Sequence, residues 1–159
     1  MSDTPLSLSE RLKSEGEKTL AFFRSLHPEQ WEQQIYTEGS CWSTHQILAH
    51  FVATESSFNR LVTNILMCGS GAPGDFNIDA YNERKVGELA GVSRQDMFEM
   101  YAKYRQQNVT LVSQMQDADL QKKGRHPFLG ILELSGIIKL IYRHNLIHLR
   151  EIRRELSLE

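Results

Sequence analysis

What most limits the architectures open to this chain is that its apolar residues recur at steps of three and four in four long stretches, the period of an α-helix with one buried face. Leu8, Leu12, Leu20, Phe23 and Leu26 keep that rhythm between Pro5 and Pro28, framing a helix of about five turns that Gly16 weakens. The second stretch opens on Ser43 and Gln46, the spacing of a capping box, with Trp42 placed to staple onto Ile47. Ile47, Phe51, Phe58, Leu61, Val62 and Ile65 then share a face until Gly69, Gly71, Pro73 and Gly74 stop the helix. Val92, Ser93 and Asp96 form a similar entry to the third, which carries Met97, Tyr101, Tyr104, Asn108, Leu111 and Met115. The fourth runs from about Glu133 to Leu156, with Leu134, Ile137, Ile138, Ile141 and Ile152 inward. Strict alternation is absent and β-branched residues fall within helical periods, so no strand is expected. The pattern predicts an all-α four-helix bundle, one domain spanning residues 1–159. Residues 68–92 are too many for a tight turn and predict a crossover along the bundle, anchored by Phe76, Ile78 and Tyr81, with a short helix in DAYNERKV.

Charge narrows the partners. A formal net charge of −2, with Lys and Arg spread among Asp and Glu, offers no field for phosphate backbones, which argues against nucleic acid. No apolar run approaches the roughly 20 residues needed to cross a bilayer, and the polar start MSDTPLSLSE lacks the basic-then-apolar pattern of a signal peptide. A cytoplasmic protein without a membrane partner is expected. Cys41 and Cys68 lie far apart with no CxxC partner and read as free thiols.

Histidine placement carries the chemical signal. His144 and His148 are four residues apart on the fourth helix, so their rings stack on one side, beside the stripe of Ile137, Ile141 and Ile152. His50 has the same marginal position on the second helix, beside Ile47, Thr54 and Leu61, and the three imidazoles can converge on one divalent ion. An H-x-x-x-H spacing is also common in ordinary cores, where histidines are hydrogen-bonded packing residues, and spacing alone leaves both readings open. His45 points to the opposite flank and is expected exposed; His27 and His126, each beside a proline, are expected at the surface, with His126 retained as a candidate pocket residue. Thr54, one turn beyond His50, and Asn82 on the crossover are the other pocket candidates. Glu151 shares the angular sector of the histidine pair and is the candidate catalytic group, orienting an imidazole or accepting a proton, against its reading as a solvated glutamate among arginines.

Three segments together resemble the DinB-like superfamily of small metal-binding four-helix proteins. CWSTHQILAHFVATE is similar to the family's tryptophan-led second helix, NIDAYNERKV to its crossover, and HPFLGILELSGIIKLIYRHNLIHLREIRREL to its closing helix. The resemblance implies that His50, His144 and His148 are metal ligands, that the chain pairs as a homodimer, and that the chemistry is thiol-dependent transfer, isomerisation or hydrolysis. An apolar dimer patch is expected where Tyr142, Leu146 and Leu149 turn from the histidine sector. Three neutral imidazoles leave a divalent ion, zinc, nickel or iron, its full charge and an open position, the arrangement of catalytic zinc sites. The expected function is therefore a metal-dependent transferase or hydrolase that activates a thiol or water toward a small molecule, a low-molecular-weight thiol being one candidate substrate. The alternative is a non-catalytic metal-binding or small-molecule-binding protein whose ion is structural.

Overall fold

The computed structural model describes residues 2–158. Helix α1 (Pro5–Arg24) begins where the Thr4 and Ser7 side chains each accept the other's backbone N–H, satisfying donors that a helix start leaves bare. A short helix, α2 (Pro28–Glu32), follows; the apolar period gave no sign of it, yet it buries Trp31 in the core. Helix α3 (Thr44–Leu66) starts on the expected box: Gln46 N–H donates to Ser43 Oγ at 3.3 Å and Ser43 N–H to Gln46 Oε1 at 2.9 Å. The remaining helices are α4 (Ile78–Glu88) on the crossover, α5 (Arg94–Ser113), capped by Ser93, and α6 (Leu134–Glu155).

Helices α1, α3, α5 and α6 form a four-helix bundle in which α5 and α6 each pack against both α1 and α3. The core has two ends. Phe23, Phe51, Met97, Tyr101 and Ile152 meet at one, and Leu8, Val62, Ile65, Val112 and Ile137 at the other. From the order of these residues along each helix, α1 and α6 run one way and α3 and α5 the other. Because α3 and α5 are parallel neighbours, the chain must travel back the length of the bundle between them, the physical reason for the crossover and α4.

No strand was expected, and the structure corrects this with an antiparallel hairpin, β1 (Lys123–His126) and β2 (Gly130–Glu133), in register from Lys123↔Glu133 to His126↔Gly130. Each strand is only four residues long, and Ile131 is exposed while Leu132 is half-buried, so the sequence shows no apolar alternation to read. The crossover is tied to this hairpin: Arg125 N–H donates to Ser70 O and Ala72 N–H to Arg125 O, both at 2.9 Å. Gly71 makes the approach possible, having a φ of +87° and lying where a Cβ would come within 2.5 Å of the Arg125 backbone nitrogen.

Side chains predicted for the surface are partly corrected too. Tyr142 and Leu149 are buried and Leu146 is half-buried, because α6 turns both flanks of its stripe into neighbours; the expected apolar dimer patch is absent there. Cys41 and Cys68 are exposed and unpaired. Among the described residues no helix is long and apolar enough to cross a membrane.

Candidate metal centre

His50 reaches the bundle interior from the first half of α3, and His144 and His148 reach it from the second half of α6, at the end of the core that holds Phe51. His144 Nε2 lies 2.9 Å from His50 Nε2 and 3.0 Å from His148 Nε2. With metal–nitrogen bonds of about 2.05 Å, a tetrahedral ion spaces its ligands about 3.3 Å apart, so the three nitrogens already lie close to the ligand positions of such an ion. The Nδ1 atoms of His50 and His144 are buried without a hydrogen-bond partner and lie away from this meeting point, so the fit rests on the three convergent Nε2 atoms.

The third ring is oriented from behind. Tyr36 OH donates to Glu151 Oε2 and sits 2.5 Å from His148 Nδ1, so its oxygen accepts the Nδ1 proton and the neutral ring turns an unprotonated Nε2 to the centre. Glu151 itself stands 3.9 Å from His148 Nδ1 and acts on the ring through the phenol. Burial, then the Glu151 carboxylate, pushes the Tyr36 phenol well above its ordinary range, keeping it a donor. Burial also lowers the histidines: His148 to about 4, His144 to about 3 with the His148 charge adding, and His50 well below 6.5 with both neighbours adding. The neutral, metal-binding form is thus favoured far into acid. Trp42 packs against His50 with the rings tilted by 38° and their centroids 4.7 Å apart, covering one side of that imidazole.

Farther along α3 lies a cleft of about 480 Å³, walled by α3, the crossover and the hairpin and lined by none of the three histidines. Thr54, Asn82 and His126 all line it. Thr54 Oγ donates to His50 O at 2.8 Å, so the cleft starts one turn of α3 from the histidine cluster. His126 is not a loop residue but closes β1, half-buried against Phe58. His45 is corrected as well: it is half-buried edge-on to Trp31, 6.3 Å between centroids, because α2 folds over the flank that looked free. His27 is exposed, as expected.

Sequence reasoning missed Tyr36, since nothing in helical spacing ties a residue of the 33–43 connection to α6. It also missed a buried pair beneath the site: Arg105 donates to both Glu55 carboxylate oxygens, at 3.0 and 2.6 Å, and Asn108 Nδ2 to Glu55 Oε2 at 2.8 Å. A signal existed, because Glu55 falls four residues after Phe51 on the apolar face.

A four-helix bundle with a parallel α3–α5 pair and three convergent imidazoles between α3 and α6 defines the class. The family model of the DinB superfamily matches residues 11–152, and the chain belongs to that superfamily. Two solved structures share the fold. "YfiT from Bacillus subtilis is a probable metal-dependent hydrolase with an unusual four-helix bundle topology" superposes with a TM-score of 0.72 at 15% identity, covering 98% of this chain and 89% of that one. TT2238, described as a four-helix bundle protein, gives 0.67 at 16%, covering 95% and 99%. No curated protein matches.

Proposed function

We propose that the protein is a metal-dependent hydrolase of a small molecule, with His50, His144 and His148 holding one divalent ion, zinc, nickel or iron. The observation that carries this reading is the meeting of three Nε2 atoms at 2.9 and 3.0 Å, with the His148 tautomer set by Tyr36 and Glu151. When bound, the ion would supply Lewis acidity and make water, or a thiol, nucleophilic near neutral pH. The chain's own groups do the rest. Three neutral imidazoles add no charge, Tyr36 and Glu151 hold the His148 ring at its angle, and Trp42 and Phe51 keep water from the back of the cluster. In this reading the substrate comes from the cleft whose lining residue Thr54 stands one turn of α3 from His50. Hydrolysis is preferred to thiol transfer because the structurally similar YfiT is described as a probable metal-dependent hydrolase.

The test is metal content by elemental analysis of protein purified without a nickel column, followed by a panel of small esters, amides and thiol–electrophile pairs with loaded and metal-free forms. About one ion per chain and turnover of an ester or amide only when loaded are expected, and His148→Ala should lose both. Turnover confined to thiol adducts would replace hydrolysis with transfer. Equal rates with and without metal would reject the reading.

A further inference from the structure

The walls of the cleft carry a chemical bias that the histidine centre does not explain. Phe58, Leu61, Phe76 and Ile78 make them mainly apolar, and at about 480 Å³ the space is of small-molecule size. Its lining contains one cation, Arg60, and no Asp or Glu. Arg60 is exposed at the rim and donates through one nitrogen to Tyr81 OH at 2.8 Å and weakly to Ser57 Oγ at 3.5 Å. On the crossover helix, Arg84 and Lys85 both pair with Glu88, at 3.6 and 3.2 Å, and neither lines the cleft. Arg60 pairs with no carboxylate among the described residues, and both of its hydrogen bonds use one nitrogen, which leaves the other guanidinium donors without a protein partner there.

His126 adds a second donor. Its Nδ1 accepts from the backbone N–H groups of Phe128 and Leu129, both at 3.1 Å, which places the hydrogen of the neutral ring on Nε2. Burial lowers the His126 pKa and favours that neutral form. The position of the cleft also matters. Thr54, Ser57 and Leu61 follow His50 at steps of four, three and four, so the cleft runs along the helical line that begins at the metal-centre histidine. Arg60 is ten residues from His50, a rise of about 15 Å.

We propose that this cleft binds a small apolar acid end-on, its carboxylate on Arg60 at the rim, its hydrocarbon body along Leu61 and Phe76, and its reactive bond at the far end toward Thr54 and His50. A single guanidinium suits one planar monoanion, which it meets through two parallel hydrogen bonds; a phosphate dianion would face too little charge. The substrate class is thus an ester or amide whose labile bond is remote from a free carboxylate. The last clause rests on the hydrolase reading above, while the binding site does not.

The two are separated by titrating metal-free, full-length protein, in which a carboxylate cannot simply ligate the ion. The probes are 6-phenylhexanoate, 6-phenylhexanamide and 6-phenylhexylamine, followed by NMR shifts of assigned amides around Leu61 and Phe76. The acid should bind about tenfold more tightly than the amide, and the amine more weakly than either; tenfold is the order of one charge-assisted hydrogen-bonded pair. Arg60→Gln should erase the preference for the acid and leave the amide within about twofold, whereas Arg60→Lys should keep part of it. Equal binding of acid and amide to the wild type, or equal loss of both in Arg60→Gln, would overturn the proposal. Shifts confined to residues outside the cleft would overturn it too. The same preference in His148→Ala, which has lost its metal, would sustain the cleft assignment even if the hydrolase reading fell.

Discussion

Tyr36 stands between His148 and Glu151, and its effect on the centre is confined to one hydroxyl. Tyr36→Phe keeps the ring's packing and removes the group that fixes the His148 tautomer, so zinc affinity should fall about 10- to 100-fold with unchanged helix content. A competition titration against a chelating dye measures this; wild-type affinity would show that the tautomer is set without the phenol. The histidines also give the metal-free protein a pH dependence. Unfolded, they take up protons as pH falls through 6.5; folded, His148 resists to about 4 and His144 to about 3. The unfolded chain therefore binds more protons within that window. Stability from these groups is full above pH 6.5 and declines as pH falls toward 3. Urea midpoints of metal-free protein at several pH values should drop across that range, and His144→Ala should flatten the drop.

Between elements, α5 is fixed to α3 and α1 by one buried charge network. Glu55 and Arg105 are 1% and 5% exposed in their side chains, and Arg105 Nη1 also donates to Leu12 O at 2.8 Å. Gly16 lets α1 come that close, since a Cβ there would lie 2.8 Å from Arg105 Cγ. The residue that appears in the sequence as a weak point of α1 is a packing requirement set by another helix. Glu55→Gln leaves the guanidinium buried without its counter-charge and should cost about 3–5 kcal/mol by urea unfolding, against little for the exposed Glu10→Gln. Replacing Glu55 and Arg105 together by Met should restore most of that loss, because the desolvated charges leave together. A single-mutant cost below about 1 kcal/mol would show that water reaches the pair.

For the whole molecule, two apolar clusters run through the bundle and the histidines occupy the edge of one of them. Chelation should therefore leave helix content intact and lower the melting temperature only by the linked binding energy, an effect that grows with free zinc concentration. Unfolding on chelation would instead give the ion a structural role. The sequence by itself determined the four bundle helices, the Ser43 and Ser93 helix starts, the crossover, and the phase that brings His50, His144 and His148 inward, because helical period and capping are local properties of the chain. Tertiary structure alone decided the rest. The parallel course of α3 and α5, the burial of His45 by α2, the hairpin seated against Gly71, and the reach of Tyr36 to His148 all join residues far apart in sequence. Those contacts depend on which faces meet after packing, and periodicity along one helix holds no information about a partner across the bundle.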